Sequence, residues 1–174
     1  MHPFPEEERP KEAPRAGGND PALLPYGATL LAALLTPRFH LYLQLGDGDI
    51  LVVDREGAVR RPPRAPDPRL LANETTSLCN KEAWRNMDIH FQPILDAPPA
   101  LVLLATDGYA NSFADEEGFH QVARDLFQML TAPKGPETVQ QELPAWLAAT
   151  SAAGSGDDIS VALAWRTTEE GAPP

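Results

Sequence analysis

The chain has 174 residues, 43% of them hydrophobic, enough for one domain that buries a core without covalent staples. Its 14 Lys and Arg against 25 Asp and Glu leave a net charge of −11, which repels nucleic-acid phosphates and argues against a nucleic-acid partner. A single cysteine, Cys79, excludes an internal disulfide and a zinc cluster of cysteine pairs, and the longest apolar run, 28–35, falls far short of the roughly 20 residues of a membrane helix.

Residues 3–15 are rich in Pro, Glu and Arg with no apolar stretch of the signal-peptide kind, so a cytoplasmic location is expected, with no membrane partner. Residues 1–22 carry few large apolar groups and are expected to form a disordered arm. From Tyr26 onward the pattern changes to short apolar runs separated by turn chemistry. Strands are predicted at about 27–36, 39–46 and 49–54, forming a meander, with a fourth near 57–61. The first of these could be a short helix by propensity; its place before Thr36-Pro37-Arg38 favours a strand.

After a Pro-rich crossing at 62–68, two more strands, 87–95 and 101–106, are predicted to form a hairpin across Asp96-Ala97-Pro98-Pro99. Phe119, Val122, Leu126, Phe127 and Leu130 recur at helical spacing, as do Val139, Leu143, Trp146 and Leu147, which predicts two amphipathic helices. A strand over 159–165 and a polar tail over 167–174 close the chain. Strands, then helices, then a strand point to layered antiparallel α+β, with the domain spanning 23–166.

Aspartate stands beside glycine at the edge of an apolar run in three places: Gly46-Asp47-Gly48-Asp49, Thr106-Asp107-Gly108 and Gly154-Ser155-Gly156-Asp157-Asp158. A carboxylate there is held by a rigid element yet points out of the core, and oxygen ligands of this kind select hard cations such as Mg2+ or Mn2+. Each turn taken alone also reads as an ordinary Asp-Gly turn, and Asp49 in particular reads as a turn residue. An EF-hand loop starting at Asp47 fails, since Leu51 and Ala58 occupy two required ligand positions, and no Gly-Lys-Ser/Thr phosphate loop occurs. His40, His90 and His120 lack pair spacing and read as surface or satisfied core residues, Cys79 has no adjacent base, and the polar run 73–78 carries no assigned role.

Taken in order, Tyr26-Gly27-Ala28-Thr29-Leu30, Leu43-Gln44-Leu45-Gly46-Asp47-Gly48, Leu103-Leu104-Ala105-Thr106-Asp107-Gly108 and Gly156-Asp157-Asp158-Ile159-Ser160-Val161 resemble the type-2C (PPM-type) Mg2+/Mn2+-dependent Ser/Thr protein phosphatases over about 26–166. The resemblance implies an α-β-β-α sandwich, here N-terminally incomplete, with metal ions at one end. It implies metal ligands at Asp107 and Asp157, and at Asp47 for a third, more weakly held ion. It further implies hydrolysis of phosphoserine and phosphothreonine in proteins by a metal-activated water, the substrates including targets of a cognate Ser/Thr kinase.

Two substitutions depart mildly from the family, Asp158 where Asn is common and Asp47-Gly48-Asp49 where Asp-Ser-Arg is common. A larger departure lies before Tyr26, where the family's phosphate-binding Arg, an early acidic ligand and a metal-bridging Asp-Gly turn have no counterpart, so no catalytic residue is assigned and weak catalysis is expected. Three explanations stand open: a truncated product of a longer enzyme, a pseudophosphatase that binds phosphoproteins without turnover, and assembly with a second chain. Haloacid-dehalogenase-type phosphatases offer a further alternative, with Asp47 as nucleophile and Asp49 as general acid, and require a parallel sheet.

Overall fold

The computed structural model of the chain describes residues 22–63 and 76–166. The expected arm, most of the Pro-rich crossing, residues 73–75 and the polar tail therefore lie outside the described residues. Among the described residues, seven strands and three helices follow one another: β1 Leu30–Leu35, β2 Phe39–Leu45, β3 Asp49–Val53, β4 Val59–Arg60, β5 Asp88–Pro93, β6 Leu101–Ala105, α1 Asp107–Ala110, α2 Glu116–Thr131, α3 Gly135–Ala153 and β7 Val161–Trp165. Short 3-10 turns at Leu24–Tyr26 and Ala83–Asn86 precede β1 and β5. None of the described helices is long and apolar enough to cross a membrane.

The strands form two sheets, β1-β2-β5 and β4-β3-β6-β7, and every pairing is antiparallel. This bears out the expected α+β class and removes the haloacid-dehalogenase alternative, which needs a parallel sheet. It also corrects two local expectations. The first three strands are not a meander, because β1 and β2 pair in one sheet while β3 leaves for the other and pairs with β4 and β6. The 87–95 and 101–106 strands are not a hairpin either. Ile94 still bonds across to Arg38 of the first sheet, whereas Ala100 bonds to Val53 of the second, so the segment between them is a crossing. Pro98 and Pro99 lie within it, and having no N–H they cannot extend a ladder.

Burial explains why β3 belongs in the middle. All five of its residues are buried: Leu51 and Val53 face the helices, while Ile50 and Val52 face the other sheet. A continuous apolar run is what a strand covered on both faces requires. The helix-side core gathers Leu101, Leu103 and Ala105 with Tyr109, Phe119, Ala123, Leu126, Leu130 and Val139. Tyr42, Ile50, Val52 and Val102 fill the space between the sheets. The layer order among the described residues is thus helices, four-stranded sheet, three-stranded sheet. On the outer face of the three-stranded sheet Leu34, Ile89 and Phe91 are exposed.

The helix α2 begins where Asp115 accepts a hydrogen bond from the Gly118 N–H at 2.8 Å, with Glu116 and Glu117 in its first turn favourably placed on the helix dipole. It ends just before Pro133. Both amphipathic helices are formed as predicted, and α3 carries Pro144 in its interior.

Candidate metal site

Three chain-distant turns meet at one end of the sandwich, and the first is the corner between β2 and β3. Gly46 has φ +98, a backbone conformation that side chains strongly disfavour, and its N–H donates to Thr76 Oγ1 at 3.0 Å. The Gln44 side-chain amide donates to the Gly48 carbonyl. Because this corner joins two different sheets, Gly46-Asp47-Gly48 is not the hairpin turn that Asp-Gly suggests, and Asp47 is exposed at its tip. Thr76 is buried and tethers the corner, a role that no local pattern around residues 73–78 marks.

Asp49 is not the turn residue expected: it starts β3, is 9% exposed, and pairs through Oδ1 with Arg61 Nε at 2.8 Å. The Arg61 guanidinium also bonds Glu116 and lies over the Phe119 ring at 5.9 Å, so it fastens the beginning of β3 to the first turn of α2.

The second turn follows β6, where Asp107 opens the one-turn helix α1 instead of the simple turn expected. Asn111 Nδ2 donates to its Oδ2 at 3.4 Å. Burial raises the Asp107 pKa, the charge of Asp47 raises it further, the Gly108 N–H opposes this, and Asp157 adds a further upward push. Carboxylates separated by tens of residues therefore share one electrostatic field.

The third turn carries Asp157 and Asp158, both exposed. Thr106 lies against it: its N–H donates to Ser160 O at 3.0 Å, and its Oγ1 accepts the Ser160 N–H at 2.9 Å and donates to Asp158 O at 3.2 Å. At Gly108 a Cβ would stand 2.8 Å from Asp158 O and 3.2 Å from Asp157 Cβ, so only glycine lets the two turns approach this closely. Beside Asp157 an open groove of about 650 Å³ runs between α3 and β7, lined by Leu143, Pro144, Leu147, Ile159 and Val161.

The donor set suits a hard divalent cation, since it is carboxylate throughout. Among the described residues no three His, Cys, Asp or Glu side chains are grouped to hold an ion. What fits is a cation held by one or two carboxylates and water, as Mg2+ commonly is.

Histidines lie elsewhere. His40 and His90 both flank Tyr42, at ring distances of 6.1 and 6.2 Å, so they are closer together than their sequence spacing suggested. His40 is not a satisfied core residue: it is buried, its Nδ1 meets the Tyr42 hydroxyl at 3.1 Å, and its Nε2 has no hydrogen-bond partner among the described residues. Cys79 Sγ lies 3.4 Å from the Ser77 hydroxyl and 3.7 Å from Asn80 Oδ1.

A family model described as Protein phosphatase 2C matches residues 8–148. No curated protein matches the sequence. Among solved structures, a bacterial serine phosphatase aligns at TM-score 0.55 and 15% identity, covering 83% of this chain and 60% of that one. The serine/threonine phosphatase Stp1 from Staphylococcus aureus aligns at 0.54 and 15%, covering 81% and 57%. The catalytic domain of the serine threonine protein phosphatase PstP, in complex with two manganese ions, aligns at 0.51 and 17%, covering 79% and 57%. At these identities the likeness is one of fold, and the chain spans less than two thirds of each of these structures.

Proposed function

The chain belongs to the protein phosphatase 2C family, and we propose that it performs metal-dependent hydrolysis of phosphoserine and phosphothreonine in proteins, with Asp107 and Asp157 as ligands of Mg2+ or Mn2+ and Asp47 as a weaker third. The observation that carries this reading is the close approach of the Asp107 turn and the Asp157 loop, where a Cβ at Gly108 would stand 3.2 Å from Asp157 Cβ and Thr106 bonds across to Asp158 and Ser160, with the charge of Asp47 also acting on Asp107.

When bound, the cations supply a water of lowered pKa and steady the phosphoryl oxygens. The chain's own residues prepare that event. Asp107 stands on the first turn of α1, steered by Asn111, while the Thr106 hydroxyl and the gap at Gly108 keep the Asp157 loop against it. Arg61 and Thr76 fix the corner that carries Asp47. The groove beside Asp157, walled by Leu143, Leu147 and Val161 and edged by Ser151 and Asp158, provides a place for side chains that flank a phosphoresidue in a phosphoprotein.

A second reading, a phosphoprotein-binding module without turnover, draws support from the sequence before Tyr26, which departs from the family's phosphate-binding Arg and metal-bridging Asp-Gly turn. One assay separates the two. Hydrolysis of a phosphothreonine peptide that requires Mn2+ and disappears in Asp107→Asn supports catalysis. Equal absence of hydrolysis in the native chain and the variant, with the peptide still bound, supports the module.

A further inference from the structure

Two serines outside the set of metal candidates join the Asp107 turn to the Asp157 loop. Ser112 Oγ donates to the Gly108 carbonyl at 2.7 Å and accepts the Ser155 N–H at 3.3 Å. Ser155 Oγ donates to the same carbonyl at 2.9 Å and accepts the Asp157 N–H at 3.2 Å, and the two hydroxyl oxygens lie 3.0 Å apart. Each hydroxyl thus uses its one proton toward Gly108 O and a lone pair toward the loop. The Gly108 carbonyl, with two lone pairs, receives both arms.

The connection is short. From Asp157 N–H through Ser155 Oγ to Gly108 O there is one intervening side chain, and Gly108 directly follows Asp107. Ser151 braces the loop from behind, its hydroxyl donating to Asp157 O at 2.6 Å. Nothing in the local sequence requires this, since a serine between two glycines reads as loop composition. Geometry gives it a more specific meaning: the hydroxyl arms tie together the backbones of the two turns that carry Asp107 and Asp157, where a Cβ at Gly108 would stand 3.2 Å from Asp157 Cβ.

We propose that Ser112 and Ser155 are positioning residues that set the separation of Asp107 and Asp157 for a shared cation. The proposal deepens the metal-site reading and rests on it. Partners that orient a metal ligand from behind typically change affinity 10- to 100-fold when removed. Because both arms end on one carbonyl, loss of either should loosen the same joint, and the two losses should not add in full.

Mn2+ titration followed by the electron paramagnetic resonance of the free ion tests this on the full chain, without recourse to turnover. Ser155→Ala should weaken Mn2+ binding by about 10-fold, with Ser155→Thr, which keeps the hydroxyl, close to the native value and far-ultraviolet circular dichroism unchanged. Ser112→Ala should act in the same direction, and the double variant should be less than multiplicative. A role in folding alone would lower the melting temperature and leave the affinity of the folded protein unchanged, which would overturn the proposal. Asp107→Asn distinguishes the two levels of failure. If it weakens binding while both serine variants bind as the native chain does, the clamp is wrong and the metal site stands. If Asp107→Asn binds normally, the metal-site reading fails and the clamp with it.

Discussion

Replacing Gly108 by alanine gives a prediction whose sign is decided by the contact between the Asp107 and Asp157 turns. Gly108 lies inside α1 and its φ is not positive, so alanine there would by backbone entropy alone stabilise the fold by about 0.4–1 kcal/mol. The added methyl, however, would stand 2.8 Å from Asp158 O, well inside the 3.4 Å at which ordinary contact begins. Backbone lies on both sides of this gap, so relief requires moving the loop. Overpacking of this kind costs about 1–3 kcal/mol, which outweighs the entropic gain. A net loss of about 1–2 kcal/mol lowers the melting temperature by about 2–8 °C for a domain of this size. Thermal unfolding followed by circular dichroism reads this directly. A variant that melts at or above the native temperature would show that the two turns do not press together at Gly108.

Other consequences follow from single residues. His40 is buried and its pKa is lowered, by desolvation first and then by Arg166 and Arg60, so the folded state binds fewer protons than the unfolded state as pH falls below the usual imidazole value of about 6.5. Its contribution is fully present above that pH and is lost as pH falls through it; stability measured by urea unfolding should drop between pH 7.5 and 5.5, less steeply in His40→Gln. His120 has a lowered pKa for the same principal reason and adds to the fall in the same direction. Arg61→Met leaves the Asp49 carboxylate, 12% exposed, without its guanidinium partner and should cost about 1–3 kcal/mol in urea unfolding. Asp49→Asn keeps an acceptor for Arg61 and should cost less; equal effects would mean that the pair matters only as bulk.

Local pattern carried the elements well and their assembly poorly. The spacing of Phe119, Leu126 and Leu130 marks α2 because periodicity is a property of neighbouring residues, and the unbroken Ile50-Leu51-Val52-Val53 run marks a strand covered twice. Which strand pairs with which depends on contacts between residues far apart, so the Gly46-Asp47-Gly48 corner and the 94–100 crossing both passed for hairpin turns. Asp49 could not be told from a turn residue without Arg61, twelve positions on and contributed by the segment after β4. Asp47, Asp107 and Asp157 were visible as carboxylates at strand edges, since aspartate beside glycine is a local signal. Their supports were not: Thr76, Asn111, Ser112 and Ser155 are small polar residues whose roles come only from what the fold sets against them.

Crystals of the chain grown with Mn2+ would show by anomalous scattering at the manganese edge whether Asp107 and Asp157 hold one ion between them. A peak bounded by the Asp107 and Asp157 carboxylates is expected, with Asp47 nearby, and no peak there in Asp107→Asn crystals. Manganese bound elsewhere, or the same peak in both crystals, would contradict it.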